Sequence, residues 1–592
     1  MSKESEDPLL QQIGSIGKWQ VVTFFVLSLF CVPVAWQLLV VVFHAPPNVD
    51  HWCKRPAAFS NWTVEQWRQY STPRVADSSG FQQWDKCHVY ALNYSTAPPD
   101  PNSLPPRSTN STLPCPKLYR IDGRWEFDHS FYEWTIQEHF SLVCDYSYLL
   151  GPIKASYMAG ILVGVFFGGM ASDRFGRRPT ILAVLVVLFV LALVVSISGS
   201  VMVYIVLRFL LALTVVAEYT AIFVFSMEMI GGKWRIIMGM LFQLPFSFGF
   251  MSLAGIAFAV TDWQHLQLAI SVPVVVFFVY YWAVPESPRW LLASGKVERA
   301  SALVESICEI NNREFDPDVQ LVPPHEDRRH VSVWELLRVP TVRYRTLNMW
   351  FNWFANVFVY YGLLFAFVGV GDDIYLNTLI GGAVEIPAYL FSIAICLLLG
   401  RRWPIAIMMV LTGAFLLATI GIRPGAYHRD WPVLVLTMLA RFCITSSFGI
   451  VYVYAAEVFP TVLRNTGVSS SSTCGRIGAI IAPFVAGSVT YYIHLPAIVL
   501  GVVSIIAGLL ILLMPETRGT KLPDTLTEAE YLGSDVEFRK KPPGRLYPVI
   551  PSISTTVVEP ENNRSPSHQD NEGFEDYSEP NSDDKAVSDQ PL

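Results

Sequence analysis

Apolar residues in this chain come in blocks longer than a soluble core needs. Residues 21–43 hold no charged side chain, and 181–197, 266–284 and 499–514 are further apolar blocks. A helix rises 1.5 Å per residue, so about twenty residues cross the ~30 Å hydrocarbon layer of a bilayer. Only 15% of the residues are charged and 52% are apolar, where soluble chains carry about 25% charged. The chain therefore reads as an all-α, multi-pass protein whose partner is the lipid bilayer. Hydropathy places twelve helices, at 19–43, 148–171, 178–198, 201–227, 236–260, 265–284, 346–369, 374–399, 402–421, 431–455, 466–490 and 495–514. Residues 1–18 are polar and acidic, unlike the basic start of a cleavable leader, so the first block is expected to be a retained helix. The formal charge of −7 collects in the C-terminal tail and does not point to nucleic acid.

Loop charges orient the helices. Arg174, Arg177 and Arg178, then Lys233 and Arg235, Arg401 and Arg402, and Arg464 fall on one side. The alternating loops 196–200, 261–265 and 369–373 carry no Lys or Arg, and Arg423 with Arg429 is the exception. An even helix count then puts both termini in the cytoplasm. Segment 44–146 faces outside and holds Cys53, Cys87, Cys115 and Cys144, with glycosylation acceptors at Asn61, Asn93 and Asn110. That combination suits an oxidising compartment and a plasma-membrane protein. Four cysteines allow three pairings, and sequence does not choose among them. Segment 285–345 reads as a cytoplasmic loop, and 515–592 as a cytoplasmic, largely disordered tail.

The chain also repeats itself. Arg208-Phe209 is echoed by Arg441-Phe442, Glu228 and Arg235 by Glu457 and Arg464, and Pro285-Glu286-Ser287 by Pro515-Glu516-Thr517, each about 230 residues on. Two duplicated six-helix halves, 19–284 and 346–514, imply a rocking carrier with its site between them.

Gly169, Asp173-Arg174-Phe175-Gly176-Arg177-Arg178 between helices two and three resembles the loop motif of the major facilitator superfamily. The second half keeps Gly400-Arg401-Arg402, with Leu397 and Leu398 at the Asp and Arg positions. Glu286-Ser287-Pro288-Arg289-Trp290-Leu291, Tyr360-Tyr361-Gly362, Val384-Glu385-Ile386-Pro387 and the stretch 456–465 are similar to signatures of the organic cation, carnitine and organic anion transporters. Stretches 451–457 and 219–228 resemble the carnitine and zwitterion branch. Arg476 stands where the cation-selective branch usually has Asp, and Pro33-Val34-Ala35 lacks the Asn that carnitine carriers place there. The resemblance implies a twelve-helix major facilitator fold and a polyspecific carrier of small organic ions working by alternating access. Cations or carnitine-like zwitterions are the expected cargo, with Na+ or H+ as candidate coupling ion. An organic anion carrier is the alternative, and a non-transporting receptor on a carrier scaffold is a third reading.

Ionisable groups inside membrane helices cost roughly 2.5–3.5 kcal/mol each near the centre, so each needs a role. Glu228 and Glu457, with Arg235 and Arg464 near them, read as braces or gates at the cytoplasmic ends, together with Asp173, Arg174 and Arg177. Arg208 and Arg441 read as structural. Glu385 and Arg476 are the expected substrate contacts, the first for a cationic end and the second for a carboxylate. Their alternative is a mutual salt bridge. Glu218 either faces the cavity or pairs with Arg208. The resemblance adds Tyr219, Phe223, Gln243, Phe246, Trp353, Tyr360 and Tyr361 as cavity wall, where aromatic faces attract an ammonium. No phosphate loop occurs, since Gly231-Gly232-Lys233-Trp234 is too short, and Cys31, Cys308, Cys396, Cys443 and Cys474 lack metal-ligand spacing. No enzymatic activity, cofactor or metal is expected.

Overall fold

The computed structural model describes residues 8–47, 49–76, 82–95, 111–115, 125–317, 319, 333–371, 373–423, 426–460, 463–519, 523, 537–541 and 545–549. Among these, nine segments are long and apolar enough to cross a membrane. They are α1 (Lys18–His44), α2 (Cys144–Phe175), α3 (Arg177–Val195), α4 (Val201–Glu228), α5 (Trp234–Ala259), α6 (Trp263–Ala283), α8 (Ile374–Leu399), α9 (Arg402–Gly421) and α10 (His428–Val458). Three more helices, α7 (Pro340–Ala366), α11 (Arg464–Gly487) and α12 (Leu495–Ile511), pack into the same bundle. Polarity and length keep these three below the spanning threshold: α7 carries an asparagine ladder (Asn348, Asn352, Asn356), α11 a run of serines, and α12 is short. The twelve expected helices all form, with α7 starting six residues earlier because Pro340 opens it at its first turn.

Close helix contacts rest on small residues. A side chain at Gly160, Gly164 or Gly168 of α2 would come within 2.3–2.5 Å of α4 atoms, the small-residue packing that bilayer helices use in place of a hydrophobic drive. Helices α1 and α6 are irregular in their interiors, and α5 also breaks, between Gly232–Leu241 and Leu244–Ala259. Helix α1 breaks between Lys18–Ser28 and Cys31–Leu39, and α6 passes through a 3-10 stretch, Val272–Val279.

The segment between α1 and α2 caps one end of the bundle. Three short antiparallel strand pairs and the helix Val64–Ser71 surround Phe59, Trp62, Trp67, Tyr70 and Tyr94. Its disulfides are Cys53–Cys115 and Cys87–Cys144, one of the three pairings open from sequence. Asn61 and Asn93 are exposed, and Asn110 lies outside the described residues. His51 packs against Trp125 and Phe127; burial, then Lys86, lowers its pKa to about 4. It also sits beside the sulfurs of Cys87 and Cys144, which the disulfide removes as metal ligands.

Residues 535–592 form a unit of their own. Its described part is an antiparallel hairpin, Glu537–Lys541 with Arg545–Val549, where the tail reading expected no element.

Candidate functional site

A central cavity, lined by residues of both halves, lies between them. Of the expected wall residues, Tyr219, Gln243, Phe246, Tyr360, Tyr361 and Arg476 line it. Gln243 donates to the Tyr219 hydroxyl at 3.0 Å. Phe223 and Trp353 stand one layer back: Phe223 packs on Phe242, and Trp353 lies edge-on to Tyr452 at 4.4 Å. Tyr157, Tyr389, Phe448 and Tyr452 also line the cavity, with aliphatic Val34, Leu38, Ile161, Val215 and Val216 between them, and none of the four aromatics was expected there as a wall residue. Phe448 and Tyr452 fall four residues apart on α10, a spacing that marks one helix face.

Arg476 lies beside the Tyr361 side chain on the cavity wall. Among the described residues no carboxylate lies within ion-pair distance of it, and it is the only charged group lining the cavity. The mutual Glu385–Arg476 bridge does not form. Glu385 instead accepts from Arg441 at 2.9 Å, from Tyr360 at 2.6 Å and from Ser247 at 3.3 Å, and is 0% exposed. Arg441 lies over the Phe250 ring at 4.6 Å. Glu385 thus sits behind Tyr360 rather than on the cavity surface. Arg441, read as structural, is its counter-ion, because α8 and α10 pack side by side and bring the two to one level. Glu218 does not pair with Arg208. Arg208 donates to the Gln37 carbonyl at 2.9 Å and covers the Tyr157 ring at 4.3 Å.

These contacts join the halves at the capped end. Ser247 and Phe250 belong to α5 of the first half, and Glu385 and Arg441 to the second. Farther out, Tyr375 at the start of α8 stacks on Phe43 at 5.7 Å and meets Phe258 edge-on at 5.5 Å.

The family described as "Sugar (and other) transporter" matches residues 117–527. The "Organic cation transporter protein" of Drosophila melanogaster is 32% identical over 540 residues, covering 89% of this chain and 95% of that protein. "Solute carrier family 22 member 3" of Rattus norvegicus is 32% identical over 541 residues, 89% of this chain and 96% of its own. The Drosophila melanogaster "Carcinine transporter" is 30% identical over 550 residues, 90% of this chain and 80% of its own. The chain belongs to the organic ion transporter family of the major facilitator superfamily. Its fold is that of the E. coli xylose transporter XylE, with a TM-score of 0.54, 16% identity, and coverage of 85% of this chain and 100% of that one. It is a transporter and not an enzyme.

At the opposite end of this transporter, each half carries its own charge cluster. Glu228 pairs with Arg177 at 2.5 Å and accepts from the Ser287 hydroxyl. Glu457 pairs with Arg401 at 2.8 Å and accepts from Thr517 at 2.6 Å. The sequence reading placed Arg235 and Arg464 near these acids. Helix α4 ends at Glu228, the chain turns at Gly231, and Arg235 donates to the Ile230 carbonyl at 3.1 Å. The loop arginine reaches Glu228 because Glu286 accepts from the backbone N–H of Arg177 and Arg178, which fixes the start of α3. Glu516 does the same for Arg401 and Arg402. Asp173 adds a 3.1 Å contact to Arg177 in the first half, while Arg174 lies over the Phe175 ring at 5.5 Å.

Proposed function

We propose that this chain is a plasma-membrane carrier that moves small organic ions by alternating access, with both termini cytoplasmic and the capping segment outside. The favoured cargo is a zwitterion, of carnitine-like chemistry, with an ammonium at one end and a carboxylate at the other. One observation carries this: Arg476 is the lone, uncompensated charge in a cavity walled by tyrosine and phenylalanine. A planar guanidinium suits a carboxylate, and aromatic faces hold an ammonium by about 0.5–2 kcal/mol each. Glu385 contributes through the Tyr360 hydroxyl rather than by touching cargo, since Arg441 already neutralises it. A bare cation would meet Arg476 with nothing to offset it. The organic cation and carcinine transporters among the relatives support a cationic end to the cargo. A simple organic anion is the second reading, because Arg476 serves it equally.

Uptake in transfected cells of a quaternary cation, a betaine and a dicarboxylate tests this, in wild type and Arg476→Ala. Losing the guanidinium strands the carboxylate, at about 2–5 kcal/mol, or roughly 30-fold or more in uptake. Betaine uptake is expected to fall by that amount while the quaternary cation is spared or gains. Equal loss of all three probes would remove Arg476 from the site. For topology, replacing Asn61, Asn93 and Asn110 together is expected to abolish a glycosidase-sensitive mass shift. A wild-type protein that runs unshifted would refute an external cap.

A further inference from the structure

Glu218 sits in the middle of α4, is 0% exposed, and has no hydrogen-bond partner for either carboxylate oxygen. Glu385 is equally buried but has three partners. The elements against α4 offer Glu218 no compensation. Helix α2 presents Gly160, Gly164 and Gly168 to α4, and α3 has no titratable residue beyond Arg178. Helix α1 brings the Cys31 thiol, and α6 brings the Tyr280 hydroxyl, which lies within electrostatic reach of Glu218. That hydroxyl already donates to the carbonyls of Val26 and Leu27, at 2.9 and 3.3 Å. On its own helix Tyr219 is adjacent, and Arg208 is committed to Gln37 and Tyr157. An ionised carboxylate stripped of water and partners costs several kcal/mol, whereas the neutral acid in the same place costs far less.

The helices α1 and α6 beside Glu218 are also irregular. Tyr280 holds the carbonyls just before the break in α1, and it follows directly on the 3-10 stretch of α6. Tyr219, the next residue, lines the cavity. A shift of α1 or α6 during the cycle therefore changes the water around Glu218 beside the cargo.

We propose that Glu218 is a proton-binding site that couples proton movement to the transport cycle. In the conformation closed at the capped end, the buried carboxylate carries one proton taken from bulk water. When α1 and α6 move and water reaches it, the proton leaves to that water and the carboxylate ionises. Because proton affinity then differs between the two conformations, a proton gradient shifts their balance, and the coupling is reciprocal. This rests on the chain being a carrier and not on which organic ion it carries.

The test uses the full chain reconstituted in lipid vesicles. Infrared spectra at neutral pH are expected to show the carbonyl stretch of a protonated carboxyl that Glu218→Gln lacks. A wild-type spectrum without a band sensitive to Glu218→Gln would overturn the proposal. In the same vesicles, betaine or quaternary cation uptake in wild type is expected to respond to an imposed proton gradient, by up to about tenfold per pH unit, the limit for one proton. Glu218→Gln is expected to flatten that response, and an unchanged response would overturn the coupling. Should Glu218→Gln not fold, wild-type protein treated with an apolar carbodiimide, which reacts with protonated carboxyls, supplies the answer by mass spectrometry. An adduct on Glu218 at neutral pH that declines in alkali supports the site, and its absence at every pH overturns it. If wild type takes up no probe at all, the cargo assignment fails, while the infrared band still reports on Glu218.

Discussion

Arg208 and Arg441 occupy corresponding places in the two halves, yet they are neutralised differently. Arg441 has a carboxylate, Glu385, and reaches across to Phe250 of the other half. Arg208 has a carbonyl and a tyrosine face, both from its own half. The duplicated residue is thus not a duplicated interaction. In the second half the arginine belongs to the joint between halves, behind the cavity wall. In the first it ties α4 to α1 and α2.

Stability measurements can break that contrast. Glu385→Gln leaves Arg441 buried without a counter-charge, which is expected to cost about 3–5 kcal/mol. Combining Glu385→Gln with Arg441→Met should restore most of it, because neither charge is then stranded. Arg208→Met strands no carboxylate and forfeits only a hydrogen bond and a cation–π contact, about 1–3 kcal/mol. Thermal unfolding of the purified protein in detergent ranks the three. An Arg208→Met loss as large as that of Glu385→Gln would mean that Arg208 has an acidic partner in solution.

The same contrast shows what the sequence discloses. Hydrophobic run length is a local property, so every spanning helix is legible, and shared landmarks about 230 residues apart reveal the duplication. Six cavity residues are legible through the family resemblance. The pairing of Glu385 with Arg441 is not, because it depends on the register in which α8 lies against α10, and no spacing within either helix encodes that. The partner of Glu228 is hidden for a related reason. Proximity along the chain suggests Arg235, but Glu286 draws the distant loop arginine Arg177 in as well. Tyr157 and Tyr389 are isolated tyrosines in apolar helices, and only the meeting of the halves gives them a common cavity.

The two charge clusters at the uncapped end sharpen the comparison, since here the halves do agree. Arg177–Glu228 and Arg401–Glu457 have similar lengths and similar burial. Hydrogen bonds to charged groups are worth about 1.5–3 kcal/mol, so Glu228→Gln and Glu457→Gln should each cost that much, measured by thermal unfolding. Costs within about 0.5 kcal/mol of each other are expected, the margin for independent, equivalent sites. A much larger cost for Glu228→Gln would show that the first half's cluster carries load its counterpart does not.

Asp173, like Arg174, has no equivalent in the second half, since Leu397 and Leu398 stand in their places. Its side chain is 75% exposed and, among the described residues, its ion-pair partner is Arg177, one turn away on the chain. An exposed pair of this kind contributes about 0.2–1 kcal/mol, so Asp173→Asn should barely change thermal unfolding. Transport is a separate matter. This structure joins its halves at the capped end and keeps the Arg177–Glu228 and Arg401–Glu457 pairs of the other end each within one half. Closing that other end would bring Asp173 toward the second half, and a contact made in only one conformation biases the equilibrium between the two. Asp173→Asn is therefore expected to slow uptake several-fold while leaving inhibitor affinity and unfolding temperature near wild type. Uptake that also stays at the wild-type rate would mean that Asp173 serves Arg177 alone. The halves would then differ at this end in composition but not in function.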